Sequence, residues 1–181
     1  SYENGSIRFG KGGHQGTRPG GAEEFFVSHI REELDSPGEF FLSRSDNKLM
    51  FFHNSTTGAA PPADGFVLTR VRTLLSVNGS AGNPIENITV SGVGFRDARA
   101  TYLDPHGVPS GGDWALQRSG AIFLEDTAGV EISNCSMERN DGNAIMVSGH
   151  NAGTVLTGND IRWTGDSAIC LWGRTDELSD G

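Results

Sequence analysis

Short apolar segments recur at a fixed spacing along the second half of the chain. Three of them superimpose position by position: 121–125, 144–148 and 168–172. Their first residues lie 23 and 24 positions apart, and the aliphatic residues that match between segments, such as Ile122 and Leu124, are two positions apart. A spacing of two places these residues on the same face of a β-strand, and the Gly-rich ends of the segments disfavour a helix.

A second set of segments runs in phase with the first, at 88–95, 130–137 and 154–161. We therefore predict two strands in each period of about 24 residues, separated by Gly, Asn and Asp turns. Ile122, Ile145 and Ile169 should form one buried column, and Leu124, Val147 and Leu171 a second. A unit this small cannot bury its own apolar face, so the copies should stack as parallel coils.

The segment that contains Leu75 and Val77 matches the first type of strand further upstream. Leu75 precedes Ile122 by 47 positions, which equals one period plus about 24 extra residues. Most of the extra length falls in an insertion at 96–120. We expect residues 70–181 to form the coils, C-terminally truncated because the chain reads as a piece of a longer protein.

Residues 1–69 have a different character. The segment 39–52 predicts a hairpin that turns at 45–47. We expect this N-terminal hairpin-bearing portion to cap or decorate the stacked coils.

Four sequence features together resemble a known family. They are the Gly-Asn-Ala-Ile and Asp-Ser-Ala-Ile turns at 142–145 and 166–169, the Val-Glu-Ile-Ser-Asn-Cys strand at 130–135, the hairpin after the segment 32–40, and the Pro-Ser-Gly-Gly-Asp-Trp sequence at 109–114. The chain is similar to right-handed parallel β-helix repeat proteins of the pectin-lyase-like superfamily, and within them to a branch related to β-helix glycoside hydrolases. The resemblance implies an all-β, right-handed parallel β-helix of about three to four coils, and a carbohydrate-active function.

Charge narrows the choice of partner. The formal net charge is −9, which argues against nucleic acid and anionic membranes because both require a basic face. No stretch is apolar over the length needed to cross a bilayer. A polysaccharide or other glycan is compatible with this charge.

Cysteines and sequons bear on the compartment. Two cysteines are too few for a disulfide framework, and we predict that Cys135 is a buried apolar residue without a bridge to Cys170. No His/Cys spacing indicates zinc, and we expect no metal and no cofactor. Five Asn-x-Ser/Thr sequons favour an extracellular, secreted glycoprotein, although turns rich in Asn, Gly and Ser also create sequons by chance.

Two aspartates are the candidate catalytic groups. Asp141 and Asp166 occupy the turn before the first strand in successive periods, offset by about one position. Equivalent positions on neighbouring coils lie about 4.8 Å apart. This spacing approaches the roughly 5 Å that separates the carboxyl groups of retaining glycosidases. The alternative is ordinary turn chemistry, in which each Asp satisfies its own backbone.

The insertion supplies candidate substrate-binding residues, because long loops in compact folds are often functional. The candidates are Tyr102, His106, Asp113, Trp114 and Arg118, with His150 added from the end of a later strand. Tyr102 or Trp114 could stack on a sugar ring, and His106 or Asp113 could reach over a groove. Trp114 could equally pin the loop to the coils, and His106 and His150 could be solvated loop residues.

These features lead to a ranked set of functions. The first is a glycoside hydrolase-like protein that acts on a polysaccharide. The second is a non-catalytic glycan-binding or structural β-helix module. The third is a polysaccharide lyase, which would need a Lys or Arg base in the groove, and groove-facing Lys is absent among the repeat positions.

Overall fold

The computed structural model describes residues 2–3, 6–7, 28–107 and 116–174. This part of the chain is all-β, as expected, and its helical elements are two 3₁₀ turns, Arg31–Glu33 and Ser55–Thr57. The chain divides into two compact units, one of residues 16–66 and one of residues 1–15 with 67–181. In the larger unit, the short strands β1 (Tyr2–Glu3) and β2 (Ser6–Ile7) pair antiparallel.

The smaller unit contains the predicted hairpin. Strand β3 (Phe40–Ser43) pairs antiparallel with β4 (Lys48–Phe51). Asn47 closes the turn with φ of 53°, a left-handed conformation that Asn tolerates better than most residues. The hairpin and its turn are confirmed.

The larger unit is built from short strands that return repeatedly to the same sheets. They are β5 (Leu75–Asn78), β6 (Ile85–Glu86), β7 (Thr89–Ser91), β8 (Gly94–Arg96), β9 (Ile122–Ala128), β10 (Glu131–Ser133), β11 (Ser136–Asn140), β12 (Ile145–Ala152), β13 (Val155–Thr157), β14 (Asp160–Thr164) and β15 (Ile169–Trp172). Every strand pairing among them is parallel.

These strands form three parallel sheets. The long sheet has the order β15-β12-β9-β5, with β6 also beside β9. The second sheet is β13-β10-β7 and the third sheet is β14-β11-β8. The chain therefore passes through the three sheets in turn and repeats the same path, as in β9, β10 and β11, so each round adds one strand to every sheet.

The predicted columns hold in the long sheet. Ile145 is paired with Ile122 on one side and Ile169 on the other, and Leu75 is paired with Ile122. Ile122 and Ile145 are completely buried, because they face the interior between the sheets. Ile169 is 43% exposed, because β15 is the edge strand of the described sheet.

The prediction of two strands per period was wrong, because each period contributes three. The second segment bends at Asn134, whose φ is 52°, and its halves join different sheets. Gly92 and Gly158 take the corresponding bend in the neighbouring rounds, with φ of 70° and 64°. A left-handed residue redirects the strand, so Ile132 and Met137 both point inward from different sheets, and both are fully buried.

Buried asparagines hold successive turns together. The side chain of Asn143 donates to the carbonyl oxygens of Gln117 and Ser119, both at 2.9 Å. Its oxygen accepts from the backbone N–H of Ser167 and from the Cys170 thiol, both at 3.1 Å. Buried polar groups must be paired, and this one side chain pairs four groups from the two segments on either side of its own.

Asn159 also links neighbouring rounds through its side-chain amide. It donates to the Ile132 carbonyl at 2.8 Å and accepts from the Cys135 N–H at 2.9 Å. Cys135 itself is 2% exposed and has a free thiol, as expected for a small apolar core residue.

Replacing Asn143 by Ala should lower the free energy of unfolding by about 3 kcal/mol, since it leaves several buried groups unpaired. Urea unfolding followed by circular dichroism measures the change. The matched control is Asn78→Ala, at an exposed strand position, which should change stability by less than about 0.5 kcal/mol. Equal effects of the two substitutions would contradict the bracing role of Asn143.

Candidate functional site

The two candidate aspartates lie on directly stacked turns. Asp141 follows β11 and Asp166 follows β14 by two residues, and both turns lead into strands of the long sheet. The Gly165 N–H donates to the Asn140 carbonyl at 2.8 Å, and the Asp166 N–H donates to the Gly142 carbonyl at 3.2 Å. The backbones of the two turns are therefore hydrogen-bonded to one another.

Glycine makes this close stacking possible. A side chain on Gly165 would place its Cβ 2.8 Å from the carbonyl carbon of Asp141 and 2.9 Å from its Cα. Real Cβ atoms do not approach backbone so closely, so position 165 requires glycine. Gly165 lies against Asp141, which leaves Asp166 one position further along, and this confirms the offset read from the sequence.

Both aspartates are exposed. Asp166 Oδ1 accepts from the Ser167 hydroxyl at 3.3 Å. Within the described ranges, the Asp141 carboxylate has no hydrogen-bond partner. One carboxylate therefore interacts locally in its own turn, and the other is open to solvent.

The insertion adds a third level to the same stack. The Thr101 N–H donates to the Asp141 carbonyl at 2.9 Å, and the Thr101 hydroxyl lies where a side chain on Gly142 would have to go. Tyr102 follows immediately and is 62% exposed. The structure thus places three of the predicted site residues, Tyr102, Asp141 and Asp166, on three successive levels of one turn.

His106 lies elsewhere in the insertion. Its Nδ1 is 2.8 Å from the Asp104 carbonyl oxygen, and the residue is half-buried. The Asp104 carboxylate pairs with Arg72 at 3.0 Å and Arg99 at 3.3 Å. These contacts join this part of the insertion to its own residues and to Arg72, which lies outside the insertion. Asp113 and Trp114 lie outside the described residues.

Arg118 is engaged by the chain itself. Its guanidinium donates to the Ser148 hydroxyl at 2.8 Å, to the Trp172 carbonyl at 3.0 Å and to the Gly173 carbonyl at 3.3 Å. It also lies 3.8 Å above the Trp172 ring, in a cation–π arrangement. Arg118 therefore fixes the end of the insertion on the long sheet.

The outward face of the long sheet carries an apolar strip, and this strip is covered. Leu116 from the end of the insertion packs with Met146, Cys170 and Trp172, and Phe123 lies against this cluster. Burial raises the pKa of the Cys170 thiol, which keeps it in the neutral form. The strip is therefore a second small core and not the floor of a groove.

His150 lies at a bulge in β12. Register with β9 shifts between Ser148 and Asn151, so Gly149 and His150 together oppose Asp126. The His150 N–H donates to Asp126 Oδ1 at 3.1 Å, and Arg174 donates to Oδ2 at 2.9 Å. Both oxygens of this buried carboxylate are occupied within the chain, while the His150 side chain is exposed.

Sequence reasoning missed an exposed tryptophan beside the aspartates. Trp163 precedes Asp166 by three residues and is 67% exposed, with φ of 50°. It aligns with Asp97 and Arg139, which also have positive φ, on the two preceding rounds. Because Trp163 aligns with polar residues in the neighbouring periods, the sequence could have predicted that its side chain points outward.

On the rounds that precede Trp163, the aligned positions hold charged residues that pair with one another. Asp97 accepts from Arg96 Nε at 2.6 Å and from Arg139 Nε at 3.1 Å. The hydrogen bond from Arg96, with that from Arg139 and the charges of both guanidinium groups, holds the pKa of Asp97 below its ordinary value despite partial desolvation.

Comparisons with known proteins found no related protein. No family model matches the chain, and no curated protein and no solved structure shows a significant match. Across the ranges that the structure describes, no cluster of three or more His, Cys, Asp or Glu side chains is arranged to hold a metal ion. Within the same ranges, no helix is both long and apolar enough to span a membrane.

Asp97→Asn should destabilise the protein more at pH 7 than at low pH. A depressed folded-state pKa contributes stability above the unfolded pKa of about 3.9, and this contribution is lost as pH falls through the folded value. The difference in unfolding free energy between parent and variant, measured in urea at pH 7 and near pH 2.5, should therefore shrink at the lower pH.

Asp64→Asn is the control for this prediction, because Asp64 is exposed and forms no ion pair within the described residues. Its effect should be small at both pH values. A stability loss from Asp97→Asn that stays constant with pH would show that the Arg96 and Arg139 contacts do not favour the ionised carboxylate.

Proposed function

We propose that the larger unit is a segment of right-handed parallel β-helix in an extracellular, carbohydrate-active protein that resembles glycoside hydrolases of the pectin-lyase-like superfamily. Three parallel sheets visited in a repeating order support the coil. Connections between parallel strands of one sheet are right-handed in about 98% of cases, which supports the hand.

Stacking of the Asp141 and Asp166 turns is the observation that carries the activity. Strand spacing of about 4.8 Å, combined with an offset of one residue of about 3.3 Å, puts the two Cα atoms roughly 6 Å apart. Carboxyl groups lie about 5–5.5 Å apart in retaining glycosidases and about 6.5–9.5 Å apart in inverting ones. Rotation of two exposed side chains reaches either range.

The chemistry needs two distinct roles from this pair. One carboxylic acid protonates the glycosidic oxygen as the bond to the leaving sugar breaks. The other attacks the anomeric carbon or activates a water that attacks it. Tyr102, on the next level of the same turn, offers an aromatic face to a sugar ring bound beside the pair.

A non-catalytic glycan-binding or structural module is the second candidate. The contact between Asp166 and Ser167 favours it, because a carboxylate that hydrogen-bonds within its own turn needs no other role. A polysaccharide lyase is the third. The sequence has two lysines, Lys11 and Lys48, and Lys48 belongs to the hairpin of the other unit.

Exposed sequons support an extracellular location. The asparagines at 54, 78, 87 and 134 are all exposed, and the fifth, Asn4, lies outside the described residues. A glycosyltransferase requires an accessible asparagine in such a sequon.

Turnover of a polysaccharide panel tests the proposal. In the parent protein, release of reducing ends should be measurable on at least one polysaccharide. Asp141→Asn and Asp166→Asn should each lower kcat by about 10²-fold or more, as expected for loss of an acid, base or nucleophile. Because both residues are exposed, the folded state should be retained in circular dichroism.

Asp160→Asn is the matched control, since Asp160 is an exposed carboxylate in β14 outside the stacked turns. It should leave turnover unchanged. Binding without turnover in the parent would favour the module, and turnover that survives both turn substitutions would place the catalytic carboxylates elsewhere.

A further inference from the structure

Trp163 occupies a corner position that is repeated on three rounds. The pairing of β8, β11 and β14 aligns it with Arg139 and Asp97. The φ values are 63° for Asp97, 53° for Arg139 and 50° for Trp163. The corner therefore imposes a left-handed backbone on every round, whichever residue is present.

Tryptophan is an unfavourable choice for this backbone. Left-handed φ is uncommon outside Gly, Asn and Asp, and for a bulky side chain it is a clear outlier. On the two preceding rounds the position is filled by Asp97 and Arg139, which hydrogen-bond to each other. Trp163 is 67% exposed, so burial does little to offset its conformational cost. Strained residues of this kind occur preferentially where a ligand is bound.

The neighbours of Trp163 belong to the candidate site. The Thr164 hydroxyl donates to the Asp166 carbonyl at 3.0 Å, which ties the end of β14 to the turn that presents Asp166. On the preceding round, exposed Arg139 and Asp141 flank Asn140, which is completely buried. The aromatic corner and the two carboxylates therefore lie within four residues of each other on the same two stacked segments.

Charge around Trp163 selects a class of ligand. Arg139 is engaged by Asp97 and Glu138, and Arg162 by Asp160. No cation of this corner is left without a carboxylate partner among the described residues, and the whole chain has a net charge of −9. A polyanionic glycan would gain little here and would be repelled at longer range.

We infer that Trp163 is a sugar-stacking subsite for an uncharged polysaccharide, whose chain runs over this corner towards Asp141 and Asp166. The inference rests on the proposed carbohydrate-active function and names its substrate class. The apolar C–H face of a pyranose ring packs on the indole, while its hydroxyl groups stay available to solvent and to Arg139. Aromatic side chains with a few placed polar groups are typical of sites for small ligands.

Trp163→Gly tests the subsite with a built-in structural control. Glycine adopts φ of 50° without strain, so this variant should unfold at the same temperature as the parent or higher. Its affinity for neutral polysaccharides, such as soluble β-glucan or mannan, should fall at least tenfold in affinity electrophoresis. Trp163→Tyr should retain affinity within a few fold, because it keeps an aromatic face.

Leu103→Ala controls for loss of exposed apolar surface, since Leu103 is 62% exposed in the insertion. It should bind as the parent does. Unchanged affinity of Trp163→Gly, an equal loss in Leu103→Ala, or a parent that prefers polygalacturonate to neutral chains would each overturn the inference.

The aspartate variants separate this inference from the proposed activity. Asp141→Asn and Asp166→Asn should keep affinity for the neutral chain while they lose turnover. Affinity that depends on Trp163 in a parent without turnover would leave the subsite standing and reject the hydrolase. If turnover depends on the aspartates, but neither KM nor affinity changes when Trp163 is replaced, the hydrolase would stand and the subsite would be rejected.

Discussion

Parallel pairing of identical columns is the constraint on which the larger unit depends. Ile122 and Ile145 lie opposite each other in neighbouring strands, and both are completely buried. A slip of one residue would turn every such side chain to the outer face, so the buried faces of three sheets together fix the register. Once the register is fixed, the turns must also stack. Asp141 and Asp166 are neighbours because the isoleucines that follow them are neighbours.

Polar side chains complete what the apolar columns begin. Turns stacked this closely bury backbone groups that no strand can pair, and Asn140, Asn143 and Asn159 supply the missing partners. Each reaches from one round to another or to the insertion. Asparagine therefore occurs in the turns and also hydrogen-bonds one turn to the next. The outer face of each turn remains available for other chemistry.

The repeat was predictable from sequence because buried strand positions recur as apolar residues at a regular spacing. Alternating Ile, Leu and Val at 23–24-residue spacing identified the long sheet, its register and the parallel stacking. The division of the second segment into strands of two sheets was not recognised from sequence. Ile132 and Met137 point inward on both sides of the bend, so the segment resembles one continuous strand. The alignment of Asn134 with Gly92 and Gly158 marked the bend. Trp163 was missed because exposure at a corner depends on the backbone conformation there, and apolar residue type alone suggests burial. The intramolecular contacts of Arg118 could not be read from the sequence, because its partners lie 30 and more residues away along the chain.

The insertion between β8 and β9 shows that loop length and core geometry are uncoupled in this architecture. Leu75 pairs with Ile122 across 47 positions as regularly as Ile122 pairs with Ile145 across 23. Closing a longer loop costs free energy that grows only with the logarithm of its length. The segment can therefore change in length without altering the paired columns of the long sheet. For the same reason, its middle is the natural place to graft a foreign recognition loop onto this scaffold.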